Sequence, residues 1–148
     1  MVIRPARPED VEALRRIVQA AYGHYAARLG KPPGPMGDDY GRRVATKQAW
    51  VLEEEGVPAG VLVLEDGDGA LLLDNLTVSP AAQGRGHGRA LIAFAEQEAR
   101  RRGHAELRLY TNALMTENLA LYGRLGFRET GHVTEKGFER VYMAKALA

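Results

Sequence analysis

Residues 71–103, LLLDNLTVSPAAQGRGHGRALIAFAEQEARRRG, decide how the chain is read. The stretch opens on Leu71, Leu72, Leu73, Leu76 and Val78, an apolar run of strand length. Ser79-Pro80 ends it, because proline has no N–H to give to a ladder. Gln83-Gly84-Arg85-Gly86-His87-Gly88 comes next, and Leu91, Ile92, Ala95 and Ala99 then fall on one face of a helix. Arg100, Arg101 and Arg102 suit the negative end of that helix, and Gly103 stands where it stops. Three glycines therefore lie between a strand end and a helix start. Unpaired backbone N–H groups and the positive end of the helix dipole meet there. With no side chains at those positions an anion can reach the main chain, so the stretch predicts strand, anion cradle and helix.

The residues around the glycines narrow the anion. A nucleotide-triphosphate loop needs Lys followed by Ser or Thr after its last glycine, and Arg89-Ala90 stands there. A dinucleotide fingerprint counted from Gly84 would need a small residue where Arg89 stands, although Glu106 lies at the distance of a ribose-binding acid. The spacing that fits is Q/R-x-x-G-x-G/A, as Gln83, Gly86 and Gly88, directly after a strand ending Leu-x-Val-x-Pro. This resembles the acetyl-coenzyme A signature of the GNAT superfamily of N-acetyltransferases. The plainer reading is a glycine-rich loop that only turns the chain.

At 148 residues the chain has the length of one ordinary domain and enough material for a core. A net charge of +1 gives no global field to recruit nucleic acid or an anionic membrane. No apolar run approaches the roughly 20 residues of a membrane helix. Met1-Val2-Ile3-Arg4-Pro5 lacks a signal-peptide pattern. With no cysteine there is no disulfide, thiolate nucleophile or cysteine metal site, and the four histidines have no metal-ligand spacing. These features predict one cytoplasmic domain over 1–148, with no metal, nucleic-acid or membrane partner.

Along the chain, residues 2–6 predict a short strand. Pro8, Glu9 and Asp10 predict a helix start, and Val11, Leu14, Ile17, Val18, Ala21, Tyr22, Tyr25 and Leu29 one amphipathic helix or two, broken near Gly23. Residues 30–40, GKPPGPMGDDY, predict a surface loop, with a short helix over 42–47. Strands are predicted over 49–55 and 59–65 around a turn at Glu55-Gly56-Val57-Pro58. Residues 105–111 alternate as a strand parallel to 71–78, by a right-handed crossover. Thr116 is the expected cap of a helix ending at Gly126, and strands over 127–132 and 138–145 close the chain.

That last helix extends the resemblance. Asn118-Leu119-Ala120-Leu121-Tyr122-Gly123-Arg124-Leu125-Gly126-Phe127 is similar to the GNAT helix segment that carries an asparagine and then Y-x-x-x-G-F, here Tyr122, Gly126 and Phe127. Asn118 and Tyr122 are four apart and share one helix face. Read alone, Tyr122 is a core aromatic and Asn118 an exposed helix residue.

The resemblance implies an α/β (α+β) fold: a mixed central sheet of about six to seven strands, splayed between two central parallel strands and flanked by about four helices. It implies an acetyl-coenzyme A-dependent N-acetyltransferase acting by direct amine attack in a ternary complex. Acetyl-coenzyme A would lie in the split between strands 71–78 and 105–111. Its pyrophosphate would take main-chain N–H groups from Gln83, Gly84, Arg85, Gly86, His87, Gly88 and Arg89. The Arg85 and Arg89 side chains would add charge, and Leu76, Thr77 and Val78 would pair with the pantetheine arm. Asn112 and Asn118 complete the implied cofactor set, and Tyr122 would protonate the departing thiolate.

Many relatives use a glutamate on the strand before the cradle as base; here Leu72 or Leu73 stands there, and Asp74 is the nearest acid. Asp74 also fits a strand-end acid bonding local backbone. The expected acceptor set is Tyr22, Tyr25, Met36, Asp38, Asp39 and Tyr40, with a small-molecule or peptide or protein amine as partner and a homodimer as a candidate assembly. Tyr22 and Tyr25 also read as core edge, and the aspartates as solvated loop residues. The alternative function is a non-catalytic acyl-coenzyme A binding module.

Overall fold

The computed structural model describes residues 1–23, 25–30 and 34–147. Lys31-Pro32-Pro33 of the expected loop lies outside the described residues. The elements in order are β1 (Val2–Pro5), α1 (Val11–Tyr22), α2 (Tyr25–Leu29), α3 (Tyr40–Ala45), β2 (Ala49–Glu54), β3 (Val57–Asp66), β4 (Ala70–Val78), α4 (His87–Arg101), β5 (Glu106–Asn112), α5 (Thr116–Arg124), β6 (Arg128–Glu135) and β7 (Phe138–Ala146). The strands form one seven-stranded mixed sheet in the order β1-β2-β3-β4-β5-β7-β6. The parallel β4–β5 pairing expected from the strand–helix–strand order is present, with Ala70, Leu71 and Leu72 opposite Glu106, Leu107 and Arg108.

The residues group into two compact units, one of Met1–Leu64 with Asn75–Phe94 and one of Glu65–Asp74 with Ala95–Ala148. In the first, Leu14, Ile17 and Val18 of α1 pack with Tyr40 and Val44 of α3 and with Ala49, Val51, Val61 and Val63 of β2 and β3. The three- and four-residue spacing on α1 meets the two-residue alternation of the strands, so one apolar stripe covers one sheet face. In the second unit β5 pairs antiparallel with β7 from Glu106↔Ala146 to Asn112↔Arg140, and β6 pairs with β7. Leu107 and Leu109 of β5 and Val141 and Met143 of β7 are buried.

Turn chemistry fixes the hairpins. Glu55 and Gly56 both have positive φ (53° and 78°), as do Lys136 and Gly137 (51° and 77°). Two such residues make a two-residue turn whose twist matches the flanking strands. The β2–β3 turn is therefore shorter than the sequence reading, and Val57 and Pro58 belong to β3. Pro58 lies opposite Glu53, beside a register shift at Leu52/Glu53, where a missing N–H is tolerated. Helix α4 stops as expected: Gly103 (φ 78°) donates to Arg100 O and His104 to Ala99 O.

The starts of α3 and α5 differ as well, and β6 runs over Arg128–Glu135 rather than 127–132. Tyr40 opens α3 rather than ending the loop, because Asp39 caps that helix by accepting from Arg42 N at 3.1 Å. Thr116 is not the cap of α5. Met115 holds that position, and the turn before it is made by Asn112, whose Oδ1 accepts from Leu114 N at 2.9 Å and whose carbonyl accepts from Met115 N at 3.0 Å.

Candidate cofactor and active site

Strand β4 carries two kinds of buried residue. Leu71 and Leu73 give way on the same face to Asn75 and Thr77, so the strand becomes polar inside as it approaches the glycines. Ser79 N donates to Ala59 O of β3 at 2.8 Å. Backbone groups alternate sides along a strand, so Leu76 and Val78 turn their N–H and C=O groups away from β3. Gln83 folds back and donates from Nε2 to Val78 O at 3.2 Å, tying the loop to the end of the strand.

Gly84 and Gly86 both take left-handed backbone (φ 82° and 81°), which lets the loop reverse into α4. Ala90 N closes the first turn of the helix on Gly86 O at 3.1 Å. The amides before it have no intrahelical acceptor and collect at the positive end of the dipole. Gly88 has neither reason to be glycine: its φ is not positive, and a Cβ there would meet nothing within 4 Å. The chain's own packing admits a side chain at Gly88, as it does at Gly34, Gly37, Gly123 and Gly131, and the open space at Gly88 lies beside the unpaired amides of the helix start. Amides and glycines of this kind fit the pyrophosphate of a coenzyme.

Charge is arranged beside them. Glu54, at the end of β2, accepts from Arg85 through Oε1, and its Oε2 pairs with His87 Nε2. The His87 side chain is 7% exposed and that of Arg85 55%. The hydrogen bond from His87, helped by Arg85, holds the Glu54 carboxyl below the usual carboxylate range. An ionised carboxylate only accepts, so Nε2 carries the proton in this pair. Arg89 is exposed and, among the described residues, has no carboxylate within ion-pair distance.

The expected acceptor residues are mostly engaged with their own chain. Tyr40 is 1% exposed; its hydroxyl donates to Pro35 O and accepts from Asn75 Nδ2 at 3.0 Å. Thr77 Oγ1 donates to Asn75 Oδ1 at 2.6 Å, which extends the chain of bonds along β4. Asp38 accepts from Arg43 Nε at 3.0 Å and Asp39 caps α3, while Met36 packs against the core of the first unit. Tyr22 points its hydroxyl to Leu76 O at 3.4 Å, and burial, partly offset by a hydrogen bond with Thr77, pushes its phenol up. Its ring lies 6.2 Å from that of half-buried Tyr25, over which the Arg28 guanidinium sits at 4.8 Å.

In the second unit Tyr122 is 7% exposed and its ring stands edge-on to Phe127 at 5.7 Å. Asn118, half-buried on the same face of α5, reaches Met115 Sδ at 3.9 Å. Asn112 shapes the turn before α5, and Asp74 is half-buried on β4. The unit also carries a group of side chains on adjacent strands. The Arg140 guanidinium sits 4.4 Å from the Tyr110 ring and 3.6 Å from Glu135, and Tyr142 donates to Glu135, which raises its phenol pKa.

The profile of the acetyltransferase (GNAT) domain matches residues 45–129, more than half of the chain, and takes in β2, β4, the cradle and α5. The chain belongs to the GNAT acetyltransferases. Among curated sequences it is 35% identical over 88 residues to N-acetyltransferase family 8 member 3 of Rattus norvegicus, covering 55% of this chain and 39% of that protein. The matches span between 39% and 57% of the relatives' own length, the upper figure for the uncharacterized N-acetyltransferase YjgM of Escherichia coli (strain K12). The PaiA N-acetyltransferase of Thermoplasma acidophilum, solved with coenzyme A, superposes with a TM-score of 0.82 at 18% identity over 98% of both chains. YncA of Salmonella typhimurium, solved with its cofactor acetyl-CoA, gives 0.74 at 25% identity, covering 100% of this chain and 94% of that one.

Within this GNAT domain, Glu54 and Asn75 are polar features that the sequence reading did not single out. Glu54 sits in a run of three glutamates and looks like solvated surface until β2 brings it to His87. Asn75 carried a usable signal, an amide inside an otherwise apolar strand run. No helix of the described residues is long and apolar enough to cross a membrane.

Proposed function

We propose that this GNAT domain moves the acetyl group of acetyl-coenzyme A to an amine by direct attack in a ternary complex. One observation carries the reading: the amides at the start of α4 have no acceptor within the helix, and the glycines beside them, Gly84, Gly86 and Gly88, leave open space in front of those amides. Bound there, acetyl-coenzyme A supplies an activated thioester carbonyl. The chain does the rest.

The main chain from Gln83 to Arg89 grips the pyrophosphate, and the Arg85 and Arg89 guanidinium groups reach its oxygens. Leu76, Thr77 and Val78 take the pantetheine arm as a strand would, with Asn112 and Asn118 holding its amides. Val78 N–H steadies the developing oxyanion; loss of one such donor typically costs about 100-fold or more. Tyr122 gives its phenolic proton to the departing sulfur, a general-acid role worth roughly 100- to 10,000-fold. Asp74 takes the amine's proton, directly or through a water.

Acceptor recognition falls to the paired rings of Tyr22 and Tyr25 and to Met36. Asp38, Asp39 and Tyr40 hold the surrounding segment in place through Arg43, α3 and Pro35. An amine is the expected acceptor class, from a small molecule, a peptide or a protein.

Thiol release from acetyl-coenzyme A across an amine panel, with calorimetry against coenzyme A, tests the reading. Coenzyme A binding with release on at least one amine is the expected result. Binding without release would leave an acyl-coenzyme A module, and no binding would remove the cradle assignment. Tyr122→Phe should lower kcat by about 100-fold or more with coenzyme A affinity unchanged; an unchanged kcat takes Tyr122 out of the chemistry.

A further inference from the structure

Glu54 has no place in the reaction above, yet it holds two residues of the cradle at once. Its two carboxylate oxygens go to different partners, one on Arg85 and one on His87. The two bonds are unequal in a useful way. The His87 side chain is 7% exposed and fixed at the first residue of α4, whereas that of Arg85 is 55% exposed and on a loop between two glycines. Gly84 and Gly86 on either side have open space around them, so the Arg85 segment has room to reorient. The helix start cannot do the same without breaking its first turn.

We propose that Arg85 is an exchangeable arm and Glu54 its resting place: in the free protein the carboxylate occupies the guanidinium, and an incoming phosphoanhydride takes it over. The inference rests on the cradle binding a coenzyme pyrophosphate. The exchange is favourable in both directions of need. An exposed Arg–carboxylate pair is solvated and screened, so releasing Arg85 costs little. A guanidinium on phosphate oxygens makes two charge-assisted hydrogen bonds at once, which is the stronger arrangement. Glu54 is not left bare, because His87 Nε2 still donates to it after Arg85 has gone. Holding the arm back also matters for selection: with its guanidinium already occupied, Arg85 offers less to simple anions that cannot accept two bonds. Glu54 is on this account a positioning residue that opposes cofactor binding through Arg85 alone.

The test is a double-mutant cycle read by calorimetry with coenzyme A. Glu54→Gln is isosteric and keeps an acceptor for His87 but removes the charge that holds Arg85. It should tighten coenzyme A by about two- to fivefold, the affinity equivalent of a surface ion pair. Arg85→Ala should weaken it, and adding Glu54→Gln to Arg85→Ala should change nothing further. Tightening confined to the background that retains Arg85 is the signature, and a purely structural carboxylate would not produce it. Weaker or unchanged binding in Glu54→Gln overturns the inference, as does an effect that persists without Arg85. If the wild-type protein binds no coenzyme A, the functional reading fails first; if it binds and Glu54→Gln does not tighten it, only the exchange is wrong.

Discussion

The loop over Gln83–Gly88, proposed as the cradle, and the segment over Gly34–Tyr40, proposed for the acceptor, are both rich in glycine and polar residues, yet they are built in opposite ways. In the cradle the main chain does the work: glycines set the turn, and the amides before Ala90 N are left without helix partners. In the acceptor segment side chains do it, and each expected residue spends its polar atoms on its own unit. Tyr40 bonds Pro35 and Asn75, Asp38 bonds Arg43, and Asp39 caps α3. A site made of backbone is specified by where side chains are missing. A site made of side chains is specified only once their partners are known.

The largest test of that contrast is Gly88→Val. With open space at its Cβ the variant should fold with an unchanged melting temperature. It should nevertheless lose about 100-fold or more in coenzyme A affinity, the equivalent of two charge-assisted hydrogen bonds. Calorimetry alongside a thermal melt reads both, and tight binding by a folded variant would break the main-chain account. Gly86→Val should lose binding too, but with added backbone strain at φ 81°.

Asn75→Ala attacks the other side. It leaves the buried Thr77 hydroxyl without its acceptor, so stability should fall by about 2 kcal/mol, or about 5 °C in Tm, with coenzyme A affinity little changed. A normal melt would show that the network is not what holds this segment.

A third test asks whether a buried side-chain pair elsewhere behaves alike. The hydrogen bond from Arg4 holds the buried Asp10 carboxyl below its ordinary value. The folded pKa is lowered, so this stability is complete above the unfolded value of about 3.9 and drains away as pH falls through it toward the folded one. Urea melts between pH 7 and 3 should show the wild type losing about 1 kcal/mol more than Asp10→Asn over that window. Parallel losses would remove the pair from the account. Smallest of all, Asp39→Ala should cost about 1 kcal/mol as a lost helix cap. A large rise in acceptor KM at unchanged stability would instead make Asp39 a recognition residue and weaken the contrast.

The residues themselves show where the sequence was sufficient. Leu71 to Val78, the glycines and Gly103 placed β4, the loop and α4 to within a few residues, because each signal is local: proline removes a donor, glycine permits a left-handed turn, a helix repeats every 3.6 residues. Thr116 misled for the same reason read backwards. A threonine before a helix is a good cap only if the chain enters in the right conformation, and the turn built by Asn112 put Met115 there instead.

By itself, then, the amino-acid order determined the succession of elements, the family, and the run of glycines at the head of α4. Folding alone decided that Glu54 meets Arg85 and His87, 31 and 33 residues away, and that Tyr40 meets Asn75 across 35. The reason is physical. Main-chain geometry is set by neighbours a few residues off, whereas a side chain's charge and hydrogen bonds belong to whatever the sheet brings beside it.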